Sequence, residues 1–437
     1  MFKRKPRNPR EHALLERSGA LLPAAVCGVT TRPGDAMVAA GGSGARIRDL
    51  SGNEYIDYLL GSGALLLGHA HPAVVAAVTD VVTKGAGNLL VNEEALELAE
   101  EIVRAVPCAE RVVFHSSGSE AVACAVRVAR AFRGRDKILK FEGGFHGMSD
   151  YALLSNQWLG KAEDSETAVP VSAGIPRAVA DQVFVAPFND LDAAVAAIER
   201  HHDDLAAVIV EPLERTFVPM PGFLAGLREA TRRRGILLVF DEVVTGFRLA
   251  FGGAQERYGV IPDLCAIGKS ISSGFPFAAT CGRADMLSLL DPARRGYGDY
   301  VAYTGTYSGN AVSAAAALAA VRELAKPGTY ARLYDTGTRL MAGLRGAFEA
   351  EGIPAQLVGE PPAFEVWFTR QPVVDFRSSL TGDRGIHARF TELLLERGVL
   401  KAHEKFFVST VLTDEDVSYT LQVFRDVAAI LRREGIS

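Results

Sequence analysis

The middle of the chain alternates short, wholly apolar runs with longer segments of helical pattern, and this alternation limits the fold more than any other feature. "RVVFHSS" leads into "EAVACAVRVARAF", "AAVIVEPL" into "GFLAGLREATRRRG", and "ILLVFDEVV" is followed by "DLCAIGKS". Strands that are apolar on both faces and separated by helices build a mostly parallel sheet covered on both sides. In such a sheet a ligand belongs at the carboxyl ends of the strands.

Ahead of this stretch, "GARIRDLSGNEYIDYLLGSG" reads as a hairpin, with "DLSGN" as its turn. After about residue 326 the pattern changes. A long amphipathic helix, "KPGTYARLYDTGTRLMAGLRGAFEAEGI", is followed by "FEVWFT", a helix near "ARFTELLLERG", and a last helix from "TDEDVSYTLQVFRDVAAILRREG". Thr413 caps that last helix, with Glu415 and Asp416 in its first turn. The reading is an N-terminal arm and small hairpin over 1–65, a large α/β domain over 66–325, and a smaller α+β domain over 326–437.

Composition excludes several classes. With 48% hydrophobic and 23% charged residues, a chain of 437 residues can bury a large core. Its 52 acidic residues exceed the 47 basic ones, and the only basic cluster is "MFKRKPRNPR" at the start, which argues against a nucleic-acid partner. That cluster lacks the apolar centre of a secretory signal, and tracts such as "ALLLG" and "SAAAALAAV" are too short to span a membrane. The expectation is a cytoplasmic protein without a membrane partner. Cys27, Cys108, Cys124, Cys265 and Cys281 are odd in number, widely spaced and free of CxxC pairing, so neither a disulfide framework nor a metal site is expected. They read as small buried hydrophobes.

Four short runs carry chemistry. In "HSSGSEAV" a strand ends, Gly118 permits a tight turn, and Ser117 with Glu120 forms a capping box that opens a helix. Backbone N–H groups, the hydroxyls of Ser117 and Ser119, and the helix dipole make a phosphate site there; taken alone, the run is a well-capped helix. In "FEGGFHG", Gly143, Gly144 and Gly147 let backbone approach closely, and Phe145 offers a face for stacking on an aromatic ligand. In "VFDEVVTGF", Asp241 stands where a strand ends and needs a partner, either a protonated ring nitrogen or, structurally, a salt bridge or helix cap, with Glu242 as the alternative exposed acid. In "AIGKSISSGFP", Lys269 stands at the end of what reads as the neighbouring strand, where desolvation can lower its pKa and make it a nucleophile towards carbonyls. A solitary lysine is ordinarily a surface residue. In this order on a parallel sheet, however, the four runs are the parts that hold pyridoxal phosphate (PLP).

Together with "YIDY", "LGHAHPAV", "VEP" and "TGTYSGN", these runs resemble the class III, ω-type PLP-dependent aminotransferases, and within them the glutamate-1-semialdehyde 2,1-aminomutase group. The resemblance extends from about "GVTTRPG" to the last helix. It implies the type I, aspartate-aminotransferase-like PLP fold, a cofactor alternating between PLP and pyridoxamine phosphate, and a homodimer with shared active sites. Position by position, it implies that Ser117, Gly118 and Ser119 hold the phosphate. Phe145 stacks on the ring in a place often filled by Tyr, with His146 beside it. Asp241 meets the pyridine nitrogen, Val243 packs under the ring, and Lys269 forms the aldimine and shuttles the proton. Glu211 lies near the cofactor or acts as a structural ion-pair partner. Gly305 and Thr306 reach the phosphate of the neighbouring subunit's cofactor.

The departures fall on the substrate side. Ser62 stands in "GSGALLLGH" where the aminomutases carry a Trp, and "EPLERTFVPMPGF" is shorter than their "EPVxGNxG" segment. Arg32 in "GVTTRPG" is the candidate grip for a substrate carboxylate. Glu404 in "AHEKFFVST" is the candidate for discriminating charge. "WLGKAEDSETAVPVSAGIP" matches the mobile gate of the aminomutases. The altered wall favours intermolecular transamination over the aminomutase-type intramolecular shift. A non-catalytic PLP-fold binding protein is a third reading, against which the presence of both Lys269 and Asp241 argues.

Overall fold

The computed structural model of the chain describes residues 2–23, 27, 37–85, 87, 89–160, 166–401 and 405–436. By internal packing the chain forms two units, one of Met1–Pro72, Ala331–Pro372 and Thr381–Ser437, the other of Ala73–Tyr330 and Val373–Leu380. The N-terminal arm therefore groups with the C-terminal segments.

In the smaller unit, β1 (Ala39–Ser43), β2 (Arg46–Asp49) and β3 (Glu54–Asp57) form an antiparallel meander, which the strand Val399–Leu400 extends in parallel beside β3. The "DLSGN" turn closes because Asp49 accepts the N–H of Asn53 at 2.8 Å through Oδ1. A second sheet of three strands packs Phe364 and Phe406 face to face, with ring centroids 5.0 Å apart. The last helix, Asp414–Arg433, opens on a full capping box: Thr413 Oγ1 accepts from Asp416 N–H, and the Asp416 carboxylate accepts from Thr413 N–H. The same carboxylate binds Arg46 of β2 at 2.6 Å, so one side chain serves helix and hairpin together.

The larger unit is built on a seven-stranded sheet. Its strands are β4 (Arg111–His115), β5 (Lys137–Phe141), β6 (Val183–Ala186), β7 (Leu205–Val210), β8 (Leu237–Glu242), β9 (Leu264–Ile267) and β10 (Ala278–Gly282), in the order β4-β10-β9-β8-β7-β5-β6. All neighbours pair in parallel except at β10, which runs antiparallel to both β4 and β9. Every residue of β7, β8 and β9 is buried, which is why those runs are apolar without alternation. The helix α1 (Gly118–Arg133) lays Ala121, Val122, Ala125 and Ala129 into one cluster with Ile209, Val239 and Ala266 of the sheet. Burying each large aliphatic side chain of this cluster stabilises by roughly 1.5–3 kcal/mol. Gly134, at φ +63°, ends the helix.

A late segment returns to this unit. The short helix Phe376–Ser379 brings Phe376 against Gly143, where an added methyl would stand 2.6 Å from the Phe376 Cβ. Arg377 Nε donates to Glu142 at 2.6 Å, and Asn189 Nδ2 donates to the Val374 carbonyl at 2.8 Å.

Four cysteines are buried as expected; Cys27 is exposed, because it lies in the arm outside either core. Among the described residues no helix is long and apolar enough to cross a membrane.

Thr413→Ala removes the acceptor for Asp416 N–H and should lower stability by about 1 kcal/mol, whereas Thr413→Ser should be nearly neutral. Urea unfolding followed by circular dichroism measures both.

Candidate active site

Because β7, β8 and β9 run in parallel and side by side, their carboxyl ends open on one edge of the larger unit, and each brings ionisable side chains to it. Glu211 follows β7, Asp241 is the penultimate residue of β8, and Lys269 lies two residues beyond β9. The glycine-rich loop after β5 and the start of α1 complete the arrangement.

At the start of α1, Ser117 caps the helix through Oγ to Glu120 N–H, while the N–H groups of Ser116 and Ser117 both donate to Glu120 Oε2 at 2.9 Å. The expectation of free N–H groups is thereby narrowed to Gly118 and Ser119, whose N–H groups have no partner among the described residues. The loop after β5 lies directly on this turn: Gly147 has φ +94°, and a methyl there would stand 2.7 Å from Ser119 Cα. Met148 N–H donates to Ser119 Oγ at 3.2 Å. Below the turn, a methyl on Gly118 would meet Val243 at 2.9 Å.

Phe145 is half-buried, its ring 5.3 Å from that of Trp158 and tilted to it by 58°. Its N–H is held by Glu211 Oε1 at 2.7 Å, and Arg215 N–H reaches the other oxygen at 3.3 Å. Glu211 thus fastens two loops through backbone N–H groups. Asp241 is buried, accepting the Val243 N–H at 3.2 Å through Oδ1 and lying 2.9 Å from His146 Nδ1 through Oδ2. Glu242 is buried rather than exposed, since β8 is covered to its end; its Oε2 accepts from Ala254 N–H and Thr245 Oγ1, and burial raises its pKa to about 7.

Lys269 keeps some open surface, yet its surroundings lower its pKa below the usual lysine value. Desolvation is the largest cause, the Arg215 cation the next, and Glu211 and Asp241 oppose them. Arg215 was not singled out in the sequence reading. Its guanidinium stands 5.9 Å from the Phe145 ring centroid. The signal was present: "LER" sets two charges directly after a buried strand. Arg248, also unforeseen, is fully buried, donates through Nε to the Val244 carbonyl at 3.0 Å, and has its pKa lowered to about 10 by burial. Lys140 is likewise fully buried on β5, with Nζ donating to the carbonyls of Gly144 and Leu154 and its pKa lowered by burial to about 8.

Thr306 is exposed, and it and Gly305 lie at the turn before the helix Ala311–Leu324. Ser62 belongs to the smaller unit and is half-buried at φ +59°. Arg32 and Glu404 lie outside the described residues, as do 161–165 of the gate segment.

The model of the Aminotransferase class-III family matches residues 30–427. The chain belongs to the class III aminotransferases. Among curated relatives, a protein named glutamate-1-semialdehyde 2,1-aminomutase from Desulfitobacterium hafniense (strain Y51) is 41% identical over 394 residues, 88% of this chain and 89% of the relative. Among solved structures, an omega-transaminase from Sphaerobacter thermophilus matches at TM-score 0.90 and 36% identity, covering 96% of this chain and 97% of that one. A structure titled "Transaminase with PLP bound" matches at TM-score 0.88 and 29% identity, covering 98% of each chain. The fold is that of the type I PLP-dependent transferases, and this class III aminotransferase is a PLP-dependent enzyme acting on small molecules. The residues fit that cofactor: two unpartnered N–H donors at a helix start suit a phosphate, and a buried strand-end carboxylate beside an amine of lowered pKa suits a pyridine aldehyde.

In the cofactor-free protein, Lys269 should react with an amine-directed acylating reagent at lower pH than the surface lysines. Arg215→Gln removes a cation and should move that reactivity to higher pH; Asp241→Asn removes an anion and should move it lower. Mass spectrometry of the labelled peptides across pH measures each shift.

Proposed function

We propose that the protein moves an amino group from an amine or amino acid to a separate keto or aldehyde acceptor. The observation that carries this reading is the convergence of Asp241 and Lys269 at the ends of adjacent parallel strands, beside the capped start of α1. Bound PLP supplies an aldehyde that takes up the amino group and a ring that withdraws electrons from the reacting carbon. Gly118 and Ser119 bind the phosphate through N–H groups, with Ser117 shaping the turn. Phe145 and Val243 would cover the ring, and Asp241, held by His146, would receive the N–H of the pyridine. Lys269 would hold the cofactor through its amine, and with its lowered pKa the freed amine would be placed to move a proton at the reacting carbon.

The substrate wall supports a separate donor and acceptor. Arg215 adds a fixed positive charge beside Lys269, in a segment that departs from the aminomutase pattern, and Ser62 replaces their Trp. An anionic substrate fits that charge, with Arg32 and Glu404 as further candidates. A second reading, the intramolecular amino shift, is favoured by the name of the curated relative, whose 41% identity exceeds the 36% of the transaminase structure.

A homodimer with shared sites belongs to the same proposal. Exposed Thr306 is then available to a neighbour's phosphate, and Leu89, Leu90 and Val91, at 73%, 76% and 90% exposure, form an apolar run that a second copy would cover.

Borohydride reduction of the loaded protein should fix the cofactor on Lys269, and Lys269→Ala should lose both this attachment and turnover; normal turnover would exclude the assignment. Asp241→Asn should lower kcat by about 10²–10⁴-fold. Single amino donors without acceptor should convert the bound PLP to pyridoxamine phosphate and release a keto product. A protein that no donor discharges, but that isomerises an amino aldehyde, is an aminomutase.

A further inference from the structure

Two side chains near the site are buried with polar atoms unpartnered. His146 is 3% exposed, and its Nε2 has no hydrogen bond; Glu214 is 0% exposed, and neither carboxyl oxygen has one. A buried polar group left in this state costs about 1–3 kcal/mol. The two converge on one point. A methyl group on Gly144 would stand 3.2 Å from His146 Nε2 and 3.3 Å from Glu214 Oε2, so the missing side chain of this glycine leaves both atoms facing the same space.

Their chemistry is complementary. Burial and then the neighbouring Glu211 push the Glu214 carboxyl well above the usual carboxylate range, against the opposing charges of Lys140 and Arg215, with Asp375 adding slightly to the rise. That shift favours the protonated carboxyl, the form that can donate. On the other side of the imidazole, Nδ1 lies 2.9 Å from the Asp241 carboxylate, which calls for a proton on Nδ1 and leaves Nε2 as an acceptor. Packing alone does not hold the ring, because His146 borders a cavity of about 340 Å³ that it shares with Lys140 and Tyr151. Lys140 does not compete for Nε2, since its Nζ donates to the carbonyls of Gly144 and Leu154.

We propose that Glu214 is a positioning residue for His146: its carboxyl donates over Gly144 to Nε2 and so fixes the tautomer that donates through Nδ1 to Asp241. Asp241 is then left as the anion of this chain of three, available to the pyridine nitrogen. This consequence rests on the reading that Asp241 faces that nitrogen; the proposed Glu214–His146 hydrogen bond does not.

The test is nitrogen NMR of protein labelled with ¹⁵N-histidine, with and without PLP, the His146 signals being assigned by their loss in His146→Gln. In the wild type, Nδ1 should carry the proton and Nε2 should be bare and hydrogen-bonded. A proton on Nε2 overturns the proposal without any variant at Glu214. Glu214→Gln keeps a donor and should keep the tautomer and kcat. Glu214→Leu should give mixed tautomers and lower kcat about tenfold with KM nearly unchanged. An unchanged tautomer in Glu214→Leu overturns the proposal. Turnover surviving in Lys269→Ala would remove the functional reading instead, and leave the NMR result standing.

Discussion

The side-by-side parallel pairing of β7, β8 and β9 is the constraint on which the site depends. Strands buried at every residue have nowhere to place a charge along their length, so ionisable residues collect where the strands end. Parallel pairing then brings those ends to one edge, and Glu211, Asp241 and Lys269 become neighbours although the chain separates them widely. Antiparallel pairing would have sent alternate ends to opposite edges. The one reversal in the sheet, β10, lies beyond β9 and leaves this trio intact.

Gathering charges at a buried edge raises a problem of balance. Each ion loses hydration, and opposite charge with hydrogen bonds must restore most of it. Glu211 spends both oxygens on backbone N–H groups, and Asp241 is shared between Val243 and His146. The cations Arg215 and Arg248 stand among them and keep Lys269 from being the only basic group nearby. Where charge is not balanced, burial shifts the groups towards their neutral forms: Glu242 and Glu214 have raised pKa values, and Lys140 a lowered one.

Much of this was legible in the sequence, for reasons that can be named. Apolar runs without alternation mark central parallel strands, and "SGSE" carries the capping box of α1 in its letters. Lys269 and Asp241 were found because each breaks an apolar strand at its end. The reversal of β10 was not legible, because "AATCG" is apolar in either direction. The bond between His146 and Asp241 joins the loop after β5 to the end of β8, and no local pattern encodes it. Glu242 was left open as an exposed acid because its partners at Thr245 and Ala254 become visible only once the turn after β8 is folded. Glu214 and Arg215 stand in plain view in "EPLERT", but no local pattern shows that folding buries the one and sets the other's charge beside Lys269.

The return of Val373–Leu380 to the larger unit carries a consequence for the order of events during synthesis. The loop bearing Phe145 and His146 rests on Phe376 through Gly143 and is tied to Arg377 through Glu142. Domains generally form as the chain emerges, N-terminal parts first. Here the nascent sheet and α1 can assemble early, while the glycine-rich loop waits for a support encoded more than two hundred residues later. A ribosome stalled or a chain truncated before residue 373 would therefore leave a large unit with its strands paired and its cofactor edge unfinished.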